Sequence, residues 1–210
     1  MNRAPRQVWL FSGHMMDAPG RAVQRFAPSM EAAAATQIAA ALAAAGAGPQ
    51  DWAYSQAAAG GDLLFLEACA ARGVRNRVLL PFAEAEFAQQ SILPSQHGAQ
   101  WLARWQTLKT AGHIETIDLM PEHLGPTPAD ADPFSRCNLW LLNSALAAAG
   151  PAPLRFICLW NGGGGDGPGG TRHMMEQVRA HSPHQFVGVP TGGRVAGALL
   201  QPCGRGGCAC

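Results

Sequence analysis

Leu159-Trp-Asn-Gly-Gly-Gly-Gly-Asp-Gly-Pro-Gly-Gly-Thr171 decides how this chain is read. An apolar run, residues 156–160, stops at a glycine-rich segment, and a helix-compatible stretch follows over 172–179. Strand, glycine loop and helix in that order build an anion site, because the first amides of a helix lack intrahelical partners and carry partial positive charge. Glycine lets a phosphate approach the backbone without meeting a Cβ. The amides of Gly169 and Gly170 and the hydroxyl of Thr171 are therefore the expected phosphate cradle. Asn161, Gly162 and Asp166 share the loop and are expected beside ribose or base, although aspartate among glycines is also an ordinary turn residue.

Outward from this loop, short apolar runs at 8–12, 52–56, 77–81, 154–160 and 185–189 read as strands. Helical patterns separate them: one entered through Ser29 as cap with Glu31 in its first turn, one over 63–73 closed by Gly73, two over 84–89 and 96–110, and one over 134–149. Residues 111–133 are proline-rich and irregular, with 114–119 extended. Continuously apolar strands alternating with helices predict a parallel sheet covered on both faces. The expectation is one doubly wound, Rossmann-like α/β domain with a mainly parallel five-stranded sheet over residues 1–195, and a Gly/Cys-rich tail over 196–210. Ligands of such sheets bind beyond the carboxyl ends of the strands, near the switch in strand order. Three loops, at 13–27, 57–62 and 161–171, follow strands on that edge.

Composition narrows the function classes. Hydrophobic residues make up 48% of the 210 and charged residues 14%, enough apolar side chain for a sizeable core. The net charge of +1 gives no electrostatic footprint for a duplex nucleic acid, while a small anion needs only a local positive field. No apolar stretch is long enough to span a bilayer, and residues 8–11 are too short for a signal-peptide core, so a cytoplasmic protein is expected. Cys69, Cys137 and Cys158 sit in apolar surroundings and read as small core residues. Cys203, Cys208 and Cys210 match no common zinc spacing, and no metal or cofactor is expected.

The other two loops supply further candidates. Ser12, Gly13 and His14 close the first strand, and Asp17 follows within reach of acid–base chemistry with His14. Arg21 and Arg25 either neutralise an anionic ligand or are solvated loop charges. Gly60, Gly61 and Asp62 form the expected second wall of the pocket, with Asp62 also an N-cap or first-turn acid. Trp101 and Trp105, four residues apart, share a helical face and read as core. His181 and His184 flank a proline that breaks helical spacing, which marks a helix end rather than a metal pair.

Three segments resemble the SLOG superfamily, which groups DprA-like DNA-processing proteins with LOG-type nucleotide phosphoribohydrolases. They are Phe11-Ser-Gly-His14, the turn Ala58-Ala-Gly-Gly-Asp62 leading into Leu-Leu-Phe-Leu-Glu-Ala68, and Gly167-Pro-Gly-Gly-Thr171. The resemblance implies a Rossmann-like sheet binding a nucleotide or nucleotide-derived ligand. Its LOG-type enzymes cleave an N-glycosidic bond with an arginine and a glutamate, for which Arg136 and Glu176 are the nearest counterparts here. In those enzymes the glutamate lies in the first turn after the glycine–threonine pair. Glu176 lies five residues past Thr171, which adds about 500° of rotation and roughly 7.5 Å of rise.

The leading expectation is therefore ligand sensing: a nucleotide or nucleotide-derived molecule bound at the strand carboxyl edge and relayed to an effector protein or a second copy of the chain. The runner-up is an N-glycoside hydrolase acting on a nucleoside monophosphate, with Glu176, Arg136 and Asp17 as catalytic candidates. A DprA-like nucleic-acid binder is disfavoured by the balanced charge.

Overall fold

The computed structural model describes residues 4–121, 132–160, 171–179 and 184–188. Within them lie six parallel strands: β1 (Val8–Gly13), β2 (Trp52–Ser55), β3 (Arg75–Leu80), β4 (Ile114–Leu119), β5 (Leu154–Leu159) and β6 (His184–Gly188). They form one sheet in the order β4-β3-β2-β1-β5-β6. The doubly wound parallel α/β fold stands, with six strands where five were expected. The sixth, β4, is the segment read only as extended. Its sequence, Ile-Glu-Thr-Ile-Asp-Leu, interrupts the apolar run with two acids, as suits an edge strand that is half exposed.

The helices are α1 (Glu31–Ala44), α2 (Gly61–Ala70), α3 (Glu84–Ser91), α4 (Gly98–Thr110), α5 (Pro133–Ala149) and α6 (Thr171–Arg179). Successive strand residues point to opposite layers. Trp9, Phe11, Val78, Leu80, Ile157 and Leu159 join α1, α2, α3 and α4 in one core. Val8, Leu10, Tyr54, Leu79, Phe156 and Cys158 join α5 and α6 in the other. Helix α2 is the pivot of the first layer. Its residues from Gly61 to Leu66 are all buried, as expected of a helix apolar on every side. Phe65 stacks on Phe11 of β1, ring centroids 4.9 Å apart, which fixes the start of α2 over the end of the central strand.

Helix boundaries follow local chemistry. Ser29 does not cap α1: it sits inside a 3-10 turn (Pro28–Met30) that precedes the helix, and Met30 is the cap residue without a side-chain bond. Pro28, with its fixed φ, starts helical geometry earlier than a serine cap would. Gly73 does end the second helical segment, at φ +71 with its amide on the Ala70 carbonyl at 2.9 Å. Helix α5 opens with Asp132, whose carboxylate accepts the Ser135 amide at 2.7 Å, and with Pro133.

Trp101 and Trp105 are core residues on one face of α4, as read. Cys69, Cys137 and Cys158 are buried and unbridged, and burial pushes all three thiols upward, Cys137 to about 12. The loop residues Asn161, Gly162, Asp166, Gly169 and Gly170 lie outside the described residues, as do His181 and the tail with Cys203, Cys208 and Cys210. Among the described residues no helix is long and apolar enough to cross a membrane.

Candidate functional site

Strand order reverses at β1. Three strands, β2 to β4, are laid down on one side of it, and β5 and β6 on the other. Helix α1, which follows β1, and helix α6, which follows β5, pack in opposite layers, so the carboxyl ends of β1 and β5 form the switch point, the usual ligand position of an open parallel sheet. β1 and β5 stay paired to their last residues, Ser12 against Cys158 and Gly13 against Leu159.

His14 is the hub of this edge. Its amide donates to the Leu159 carbonyl of β5 at 2.9 Å, and its carbonyl accepts the Gly61 amide at the start of α2 at 3.2 Å. Met16 donates to the Ala59 carbonyl at 2.8 Å, and Met15 and Gly60 form an antiparallel bridge. The first two sequence-predicted segments, residues 12–14 and 60–62, are thus stitched together by backbone bonds.

The glycines of these segments have a packing role. At Gly13 a Cβ would lie 2.8 Å from the Phe11 ring and 2.9 Å from the Leu159 side chain. At Gly60, where φ is +98, it would lie 2.6 Å from the Met16 amide nitrogen. At Gly61 it would crowd Phe11 and the His14 carbonyl at 3.1 and 3.2 Å. Small residues here let two loops and a helix start close on one another.

Buried polar side chains gather on the same edge: His14, Asp17, Ser55, Gln56, Asp62, Asn138 and Thr171. Asp17 serves its own loop. One carboxylate oxygen accepts the amides of Arg25 and Phe26 at 2.8 and 2.9 Å, and the other lies 3.5 Å from Arg21. Asp62 is a first-turn acid rather than a cap. Gly60 is the cap residue of α2, and the Asp62 carboxylate reaches back to the Ala58 amide at 3.2 Å. Burial pushes its carboxyl up to about 7, against the Ala58 amide and the Ser55 hydroxyl, which pull it down.

The opposite edge supplies the contrast. Asp51, also buried, is likewise driven upward by burial, but Arg6, Gln7, the Gly48 amide and Trp9 outweigh that and hold it below the usual carboxylate range. Arg6 binds it through two nitrogens at 3.0 and 2.9 Å, and Gln7 donates at 2.8 Å. A carboxylate so surrounded is structural. Asp62 keeps proton-exchange capacity near neutrality, a state that binding and catalytic sites favour.

Helix α5 adds residues that sequence reasoning missed. Gln56, just past β2, donates to Asn138 across 2.8 Å, a buried amide pair at the mouth of the edge. Asn138 lies on the inward stripe of α5 with Leu141, Leu142, Ala145 and Ala149. A polar residue on an apolar stripe was the available signal. Next to it, the Cys137 thiol lies 3.7 Å from the Leu79 carbonyl, near enough to Asp62 for that charge to raise it further. Phe82, Phe87 and Phe134 form an aromatic cluster beyond β3, packed into the first core, Phe82 and Phe134 edge-to-face at 5.5 Å.

Of the remaining candidates, Thr171 is the first residue of α6 and is buried on this edge, while Arg136 is in the first turn of α5. Glu176 lies elsewhere: it pairs with Arg172 at 3.1 Å on an exposed flank of α6. Among the described residues no cluster of three or more histidine, cysteine, aspartate or glutamate side chains is arranged to hold a metal ion. No protein-family model matches this sequence, and no curated protein matches it.

Proposed function

We propose that this protein binds a nucleotide or nucleotide-derived small molecule at the carboxyl edge of its sheet, beyond the ends of β1 and β5, and serves as a ligand sensor. The observation that carries this reading is the reversal of strand order at β1. From β5 the chain passes through the glycine-rich segment to Thr171, the buried first residue of α6, so the one glycine loop that sequence singles out leaves the strand beside the switch. Thr171 offers a hydroxyl and a helix N-terminus to phosphate, and His14, Asp62, Gln56 and Asn138 offer the directional contacts that a ribose and base require. The resemblance of residues 11–14, 58–68 and 167–171 to SLOG domains supports the same ligand class, and an effector protein or a second copy would read the bound state. Calorimetric titration with adenosine, guanosine, cytidine and uridine monophosphates tests it. Micromolar to submillimolar binding of at least one, weakened tenfold or more by Thr171→Ala, is expected; failure of all four to bind at millimolar concentration refutes it.

A second reading, hydrolysis of the N-glycosidic bond of that ligand, is favoured by the placement of Asp62, a carboxyl buried on this edge with the Ala58 amide at 3.2 Å and pushed up to about 7 by its burial. In it the carbon–nitrogen bond breaks as Asp62 gives the departing base a proton, and water adds to the anomeric carbon, the proton it loses restoring Asp62. Base release that vanishes in Asp62→Asn while binding persists supports hydrolysis. Absence of base release in the wild type leaves sensing as the function.

A further inference from the structure

Trp160, the residue that follows β5, faces one flank of α6 across a cavity of about 340 Å³ lined by Trp160, Arg172, Met175, Glu176 and Arg179. The four helical residues are spaced i, i+3, i+4 and i+7, a single stripe. Met174 and Val178, on the neighbouring face of α6, are buried in the core under α5. Met175, buried itself, supplies the floor of the cavity, and the two arginines stand at its ends, about 10 Å apart along the helix. Glu176 is held by Arg172, so the lining carries two cations and one anion.

An indole, a thioether and guanidinium groups along a groove suit a flat aromatic ring bearing an acidic group. The ring stacks on the indole, the sulfur adapts to its edge, and the acid is drawn to a guanidinium. Arg172, one end of this lining, directly follows Thr171, the proposed phosphate position. We propose that the Trp160–α6 cleft is a second subsite that takes an additional ring-and-phosphate unit, so that the ligand preferred by this protein is a two-part nucleotide rather than a mononucleotide. The inference rests on the reading of Thr171 as the phosphate position. The first unit sits beyond the carboxyl ends of β1 and β5, and the second extends along α6 toward Arg179.

Titration with adenosine monophosphate and with diadenosine diphosphate, which repeats the same ring and phosphate, tests the subsite. The wild type is expected to bind the two-ring compound at least tenfold more tightly. Trp160→Ala and Arg179→Ala should each weaken that compound about fivefold or more while leaving adenosine monophosphate unchanged. Arg179 is exposed, so its variant folds even if Trp160→Ala does not. Equal affinity of the wild type for the two compounds, or an Arg179→Ala variant that loses neither or both alike, overturns the subsite and leaves the proposed function standing. Failure of the wild type to bind either at millimolar concentration overturns both.

Discussion

The His14 amide donates to the Leu159 carbonyl at 2.9 Å, and the bond ties the end of the central strand to β5 at the point where strand order turns. The same residue accepts the Gly61 amide, so its main chain joins three elements: β1, β5 and α2. Its side chain can therefore be tested apart from that duty.

His14→Ala keeps both backbone bonds and removes only the imidazole. The variant is expected to fold, with stability lowered by about 1–2 kcal/mol for the buried group removed, and to bind mononucleotide tenfold or more weakly. Thermal unfolding and calorimetric titration of the same sample check both halves. Unchanged affinity would assign His14 to packing alone.

Gly60→Ala acts through the backbone. Its φ of +98 is a region that residues with a Cβ avoid, and the new atom would meet the Met16 nitrogen at 2.6 Å. A loss of about 2–4 kcal/mol is expected from strain and overpacking, seen as a fall in Tm of roughly 5–15 °C for a chain of this size. The β1–α1 and β2–α2 loops would part, and binding would fail with them. A variant as stable as the wild type would show that the two loops are not held together as described.

Asp62 sets a pH dependence whose sign follows from the direction of its shift. Folded, the carboxyl holds its proton up to about 7, whereas an unfolded aspartate releases it near pH 3.9. Between those values the native state binds more protons than the unfolded chain, so stability falls as pH rises, by up to about 1.4 kcal/mol per unit. Asp51 works in the opposite sense and lower down: its contribution is present above the usual carboxylate range and is lost as pH falls through its depressed value. Asp62→Asn should thus gain on the wild type steadily from pH 4 to 7 and keep a constant advantage above. Denaturant unfolding across that range is the check, and parallel profiles for the two proteins would contradict a protonated Asp62.

The parallel α/β fold was legible because β1, β2, β3 and β5 each hold a continuous apolar stretch (residues 8–11, 52–54, 78–80 and 156–159), the mark of strands covered on both faces. β4 was the exception. Edge position frees one side from burial, so Glu115 and Asp118 interrupt its pattern and the sixth strand hid in a segment read as irregular. Within the site, Gly13, Gly60 and Gly61 stood out in the sequence as candidate ligand positions; that a Cβ on each would meet the protein's own chain is a matter only three-dimensional neighbours show. Asp62 could be placed at a helix start but its protonation could not, since that depends on burial by elements remote in sequence. Gln56 and Asn138, 82 residues apart, meet only because α5 packs across the ends of β1, β2 and β3.

Two-dimensional amide NMR during titration with adenosine monophosphate tests the central claim most directly, because it reports where a ligand sits as well as whether it binds. Saturable shifts are predicted for His14, Gly61, Asp62, Asn138 and Thr171 on the carboxyl edge, with Asp51 and Asn76 on the opposite edge unmoved. Largest shifts at Asp51 and Asn76, or none at any amide up to millimolar ligand, would contradict it.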